Sequence, residues 1–145
     1  MNINYIDMTQ KEKDLLLRDI SARLPYGVKG RVTSRDCNNR ECEFVATIDG
    51  KLYDRFAVDQ ESWFDNVTIK PYLFPLSSMT DEEYAIYSKI WEDTGKTAYL
   101  DGCHHLIINI KAYKASNDYL LSKHYDINGL IPMGLANDAT GLNIY

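Results

Sequence analysis

The tightest constraint on the fold is a helix that carries its own start and stop signals. Thr9 and Glu12 have the spacing of a capping box, in which a hydroxyl and a carboxylate satisfy the first unpaired amides of a helix. Leu16, Ile20 and Leu24 recur every fourth residue behind it and lay one apolar stripe along the helix. Pro25 disfavours helical geometry at the residue before it, and Tyr26-Gly27 completes a turn. A helix is therefore expected over residues 9–24, with a strand after it.

In that strand Val28, Gly30 and Val32 alternate with Lys29, Arg31 and Thr33, which gives one apolar and one polar face. Residues 35–40 read as a polar turn. Residues 42–48 and 52–58 read as two strands joined across Asp49-Gly50, a strong hairpin signal. A two-residue loop would set Phe44 and Ala46 opposite Arg55 and Tyr53 and mix the faces. A three-residue loop, with Gly50 left-handed, aligns Cys42, Phe44 and Ala46 with Phe56, Asp54 and Leu52 and is the preferred register. Residues 67–76 are extended because prolines cannot sit inside a helix, and they are expected to form an edge strand.

A second capping box at Thr80 and Glu83 opens a helix over 81–93, with Gly95 as its stop. Its stripe of Tyr84, Tyr87 and Trp91 reads as a core face, with a partner-binding face as the alternative. Residues 99–113 read as strand from their β-branched content, and Ser116 as the cap of a short helix through about His124. Glycines at 129, 134 and 141 mark a tail of turns packed on the body by Leu130, Ile131 and Leu135. The expected fold is α+β: an N-terminal helix and C-terminal helices on a small, mainly antiparallel sheet of four to five strands, in one domain over 1–145.

Composition bounds the function. A chain of 145 residues, 45% of them hydrophobic, can bury a core without disulfides or metal. The net charge of −5 argues against a partner of long nucleic acid. No apolar run approaches the ~18 residues a membrane span needs, and the first residues are too polar for a signal peptide. Cys37, Cys42 and Cys103 are odd in number, which suits a reducing cytosol. The expectation is a cytoplasmic protein with no membrane partner.

All six arginines fall within residues 1–55, where the net charge is +1, against −6 for residues 56–145. Lys29 and Arg31 share a strand face with Arg35 just beyond, an arrangement suited to phosphate or carboxylate. The competing reading is a solvated face whose cations pair with Asp36, Glu41 and Glu43. The 11 tyrosines favour recognition surfaces and half-buried positions alike. Cys37 and Cys42, with His104, His105 and His124, are too loosely spaced for zinc, so no metal or other cofactor is expected. His124 with Asp126, and His105 with Asp101, are the only local acid–base pairs, and neither matches a catalytic motif.

Three phrases, LLLRDISARLPYGVKG at 15–30, IKPYLFPLSSMTDEEY at 69–84 and YLLSKHYDINGLIPMGLA at 119–136, resemble a family of short proteins common in gut-bacterial, Bacteroidales-type genomes, often in prophages and mobile elements. Its members carry LPYGV, IKPYLRP-SSMTEEE and HHFDYRGLI-KGLA phrases. This chain departs from them with Phe74 in place of arginine and with Lys123, His124, Tyr125, Asp126, Ile127 and Asn128 before Gly129-Leu130, which removes two cations and one imidazole. The resemblance implies a mobile-element origin and no activity of its own. The residues that persist, with the cations of the first strand, make up the expected ligand site: Arg23, Tyr26, Lys29, Arg31, Lys70, Tyr72, His124 and Tyr125.

The favoured expectation is a non-enzymatic binding protein that antagonises host defence by sequestering a nucleotide-type anion, with arginines for phosphate and tyrosines for base stacking. A small hydrolase or phosphoesterase using His124 and Asp126, or an interaction module blocking a host protein, are the alternatives. So short a chain would place a sequestering site between subunits, so a homo-oligomer is a further expectation.

Overall fold

The structure, a computed structural model, describes residues 8–34, 39–48, 51–54, 67–93, 98–100, 106–108 and 110–145. Helix α1 (Gln10–Arg23) starts as its capping box dictates: Glu12 N–H donates to Thr9 Oγ1 at 3.1 Å, and Thr9 N–H donates to Glu12 Oε2 at 3.3 Å. Pro25 falls in a single 3-10 turn (Leu24–Tyr26) that closes on Gly27 at φ 75°, a left-handed conformation glycine adopts without a Cβ clash.

Strands β1 (Lys29–Ser34), β2 (Asn39–Ile48), β3 (Lys51–Asp54) and β4 (Val67–Leu73) join a two-residue β7 (Asn137–Asp138) in a sheet of order β3-β2-β1-β4-β7, antiparallel except for β4–β7. Helix α2 (Asp81–Asp93) packs on α3 (Ile110–Ser122), and between them β5 (Ala98–Leu100) pairs with β6 (Leu106–Ile108). The architecture is the expected small α+β fold.

Alternation along β1 divides the sheet into two faces. Val28, Gly30 and Val32, with Cys42, Phe44, Ile69 and Leu73, form the apolar face under Leu16 and Ile20 of α1, and Leu130 and Leu135 of the tail complete that core. The other face is a polar row in which Lys29 opposes Glu43, and Arg31 sits between Glu41 and Lys70. Gly30 is required by packing rather than by its own backbone. A Cβ there would lie 2.6 Å from Phe44 Cε2 and 2.9 Å from the Lys70 carbonyl oxygen, so the Phe44 ring occupies the space the missing side chain leaves.

Five expectations need correction. Residues 110–113, expected as strand, are the first turn of α3, because the buried positions Ala112, Ser116 and Leu120 recur at helical and not strand spacing. The β2–β3 hairpin holds the two-residue register next to its turn, with Ile48 opposite Lys51 and Ala46 opposite Tyr53. The register then shifts by one residue, so that Phe44 does meet Asp54; one bulge accommodates both pairings. Strand β4 is not an edge along its whole length, since Tyr72 and Leu73 pair with Asn137 and Asp138. Ser116 does not cap a helix. It is buried inside α3, where Ala112, Ser116 and Leu120 recur at helical spacing on the buried side, and its hydroxyl is satisfied by donating to the Tyr113 carbonyl at 2.9 Å. Finally, Tyr84 is 62% exposed, so the aromatic stripe of α2 is core only in part. The turn at 35–38 and the Asp49-Gly50 loop lie outside the described residues, and among those described no helix is long and apolar enough to cross a membrane.

Gly30→Ala should lower stability by about 2 kcal/mol or more, because a methyl cannot enter against the Phe44 ring and the Lys70 carbonyl without shifting both. A urea midpoint equal to that of the unsubstituted chain would refute this packing.

Candidate functional site

Helix α3 ends in a Schellman motif, with His124 N–H donating to the Leu121 carbonyl at 3.0 Å and Tyr125 N–H to the Leu120 carbonyl at 3.0 Å. The residue at its left-handed position is usually glycine, yet here it is His124, at φ 64°. A side chain that accepts this backbone cost directs attention to what its ring does. The imidazole stacks on Tyr145, with centroids 3.5 Å apart and planes 9° from parallel.

Tyr145 is itself held firmly. Its hydroxyl accepts the Lys29 N–H at 2.9 Å and donates to the Tyr72 carbonyl at 2.9 Å, joining the tail to β1 and β4. Lys29 Nζ donates to the Ile144 carbonyl at 3.0 Å and lies 5.8 Å from the Tyr145 ring centroid. Burial pushes the Tyr145 phenol up to about 12, so it stays protonated. Burial also pulls His124 down to about 4, helped by the positive charges of Arg23, Lys29 and Lys123, so at neutral pH the ring in the stack is uncharged.

Beside this stack opens a cavity of about 470 Å³, within the roughly 300–1,000 Å³ typical of small-molecule sites. Phe74, Tyr125 and Tyr145 give it aromatic walls; Ser78, Ser122 and Thr140 contribute hydroxyls, and Lys123 a cation. Phe74 lies 6.4 Å from Tyr125 and 6.1 Å from Tyr145 between ring centroids. Glu83 also lines the cavity, but it is engaged, accepting the Tyr125 hydroxyl at 2.9 Å and the Thr80 hydroxyl at 3.1 Å. Burial and that carboxylate both raise the Tyr125 phenol.

The structure separates the sequence-derived site residues into four places. His124 and Tyr125 line the cavity, with Lys29 behind the stack. Arg31, Lys70 and Tyr72 stand on the polar sheet face, where Arg31 lies 3.4 Å from Glu41 and the Tyr72 hydroxyl donates to the same carboxylate at 3.0 Å. Tyr26 is half-buried in the 3-10 turn and does not line the cavity. Arg23 is fully buried: its Nε and Nη2 donate to Asp19 at 2.7 and 3.1 Å, and Asn128 Nδ2 adds a bond to the same carboxylate at 2.8 Å. Its Nη1, like His124 Nδ1, is buried without a hydrogen-bond partner among the described residues.

Asp126, the expected acid beside His124, serves the backbone instead. Its two oxygens accept the Leu130 and Ile131 amides at 2.8 and 2.9 Å, which holds the tail turn against the core. No His124–Asp126 bond is formed, so that dyad has no geometric support. The Asp101–His105 pair, Cys37, Cys103 and His104 lie outside the described residues, and among those described no three metal-ligating side chains converge. Sequence reasoning missed Thr140 and Tyr145, because nothing local marks a tail residue that meets β1 and β4 only through the fold.

The chain matches no known family model, no curated protein and no solved structure.

Two outcomes test the site's electrostatics. Because the folded His124 takes a proton only near pH 4 while the unfolded ring does so near 6.5, the unfolded state binds more protons between those values, and stability should fall as pH drops through that window. His124→Asn, which tolerates the left-handed backbone, should flatten the slope of melting temperature against pH from 4 to 7; an unaltered slope would show that the imidazole is not the group responsible. Arg23→Met strands a buried carboxylate and should cost about 3–5 kcal/mol, most of it recovered in the double variant Asp19→Leu/Arg23→Met, as chemical denaturation would show.

Proposed function

We propose that this chain is a non-enzymatic binding protein that takes up a small, planar, anionic ligand of nucleotide type in the cavity beside the His124–Tyr145 stack. The observation that carries the reading is the stack itself, a neutral imidazole held at a left-handed helix end against a tyrosine ring anchored through its hydroxyl, beside a cavity with further aromatic walls. Aromatic faces favour a planar ring, and Lys123 supplies one cation for its acidic group. The Ser78 and Ser122 hydroxyls each donate to a backbone carbonyl, of Pro75 and Tyr119, at 2.7 Å, and the Thr140 side chain bonds Asp138, so these oxygens are acceptors for the hydroxyl protons of a ribose-like group.

The geometry favours a mononucleotide-sized ligand over a polyphosphate, because the arginines first considered for phosphate are committed elsewhere: Arg23 to Asp19, and Arg31 beside Glu41. A mobile-element origin rests on the three family phrases, a role in antagonising host defence is our extension of that origin, and a cytosolic setting rests on cysteine usage.

Calorimetry against AMP, a cyclic dinucleotide and ADP-ribose, with mass spectrometry of material released on denaturation, tests the reading. Binding of AMP is expected, weakened at least about tenfold by Lys123→Glu and by Thr140→Trp, which fills the cavity from an exposed position. No released ligand and no heat with any of the three would sink it.

A further inference from the structure

A second concavity lies between α2, the segment that leads into it and Leu120 of α3, and the ligand reading does not use it. It measures about 410 Å³ and is lined by Leu76, Met79, Asp81, Tyr84, Tyr87 and Leu120. We propose that this groove docks a cationic amphipathic segment of a partner protein.

Three observations carry the assignment. Apolar walls and solvent exposure coincide in the groove: Leu76 is 46% and Tyr84 62% accessible, and both line the same concavity rather than standing as scattered single residues. The residue types are those that dominate recognition, with a Tyr84–Tyr87 pair at 6.4 Å between centroids and a conformationally adaptable Met79. The charge has one sign. Asp81 lines the groove, no lysine or arginine does, and the α2 sequence holds five acids against one lysine. Of the neighbouring acids Glu82 is exposed, whereas Glu83 is engaged by Thr80 and Tyr125 and contributes nothing to docking.

This charge pattern chooses among occupants. A second copy would bring two acidic helices face to face, and an acidic peptide would be repelled, whereas a segment with aliphatic anchors and flanking Lys or Arg meets both the apolar floor and the carboxylate.

The test uses the full chain and two fluorescent peptides of about four helical turns, one of leucine and lysine at helical spacing and one with glutamate in place of lysine. Anisotropy should register binding of the lysine peptide and not of the glutamate peptide. Tyr84→Ala should weaken it about tenfold or more with unchanged melting temperature, and Asp81→Asn severalfold with only the small drop expected from losing one charge at the start of α2, while Glu41→Gln, on the sheet face, leaves binding unchanged. Equal weakening by Glu41→Gln would mean general charge attraction and overturn the proposal. So would indifference to Tyr84→Ala, equal binding of the glutamate peptide, or a dimer in sedimentation that Tyr84→Ala makes monomeric.

Discussion

The buried ion pair between Asp19 and Arg23 is the interaction on which the rest of the molecule is arranged. Both side chains are fully withdrawn from solvent, and removing two such charges from water costs several kcal/mol unless the geometry returns it. Here much of it is returned: the residues are one helical turn apart on α1, two guanidinium nitrogens reach the two carboxylate oxygens, and Asn128 supplies a third donor, while Arg23 Nη1 is left without a partner among the described residues. Asn128 belongs to the turn after α3, so the pair also joins the first helix to the tail. Its cation extends further. Burial is the main reason His124 stays neutral and the Tyr145 phenol rises; the Arg23 charge adds to the first effect and opposes the second, so a packing element of α1 also contributes to the electrostatics of the candidate site.

The tail is the second organising device. From His124 onward the chain forms a run of turns tied down by specific bonds: Asp126 accepts two amides, Leu135 N–H returns to the Leu130 carbonyl, and Ala139 N–H donates to the Leu73 carbonyl. Those bonds let Leu130 and Leu135 enter the core beneath α1 and carry Tyr145 back to the start of β1. A loop-like segment rich in glycine thereby becomes both a wall of the core and a wall of the cavity.

The two concavities flank α2 and differ in chemistry. One has aromatic walls, hydroxyls and a lysine; the other has aliphatic and tyrosyl walls with a carboxylate. Glu83 explains how a single helix serves both, because it closes the capping box of α2 and at the same time anchors Tyr125 across the cavity. An acid chosen for helix initiation therefore also orients a site residue.

The local grammar of the chain was legible from residues alone. Two capping boxes, the Pro25 stop, the alternation of β1 and the apolar residues of the tail all lie where short-range stereochemistry puts them, because each depends on neighbours within a turn or a pleat. Anything that depends on distant partners was decided by the tertiary structure. The hairpin took both candidate registers through one shift between Phe44 and Ala46, and β4 gained a parallel partner from more than sixty positions away. His124 was visible as a candidate, but its partner Tyr145 was not, and Arg23 proved to be a buried counter-ion rather than a ligand contact. Residue type and spacing state which groups can make chemistry; only the packed chain determines which of them are already satisfied by one another.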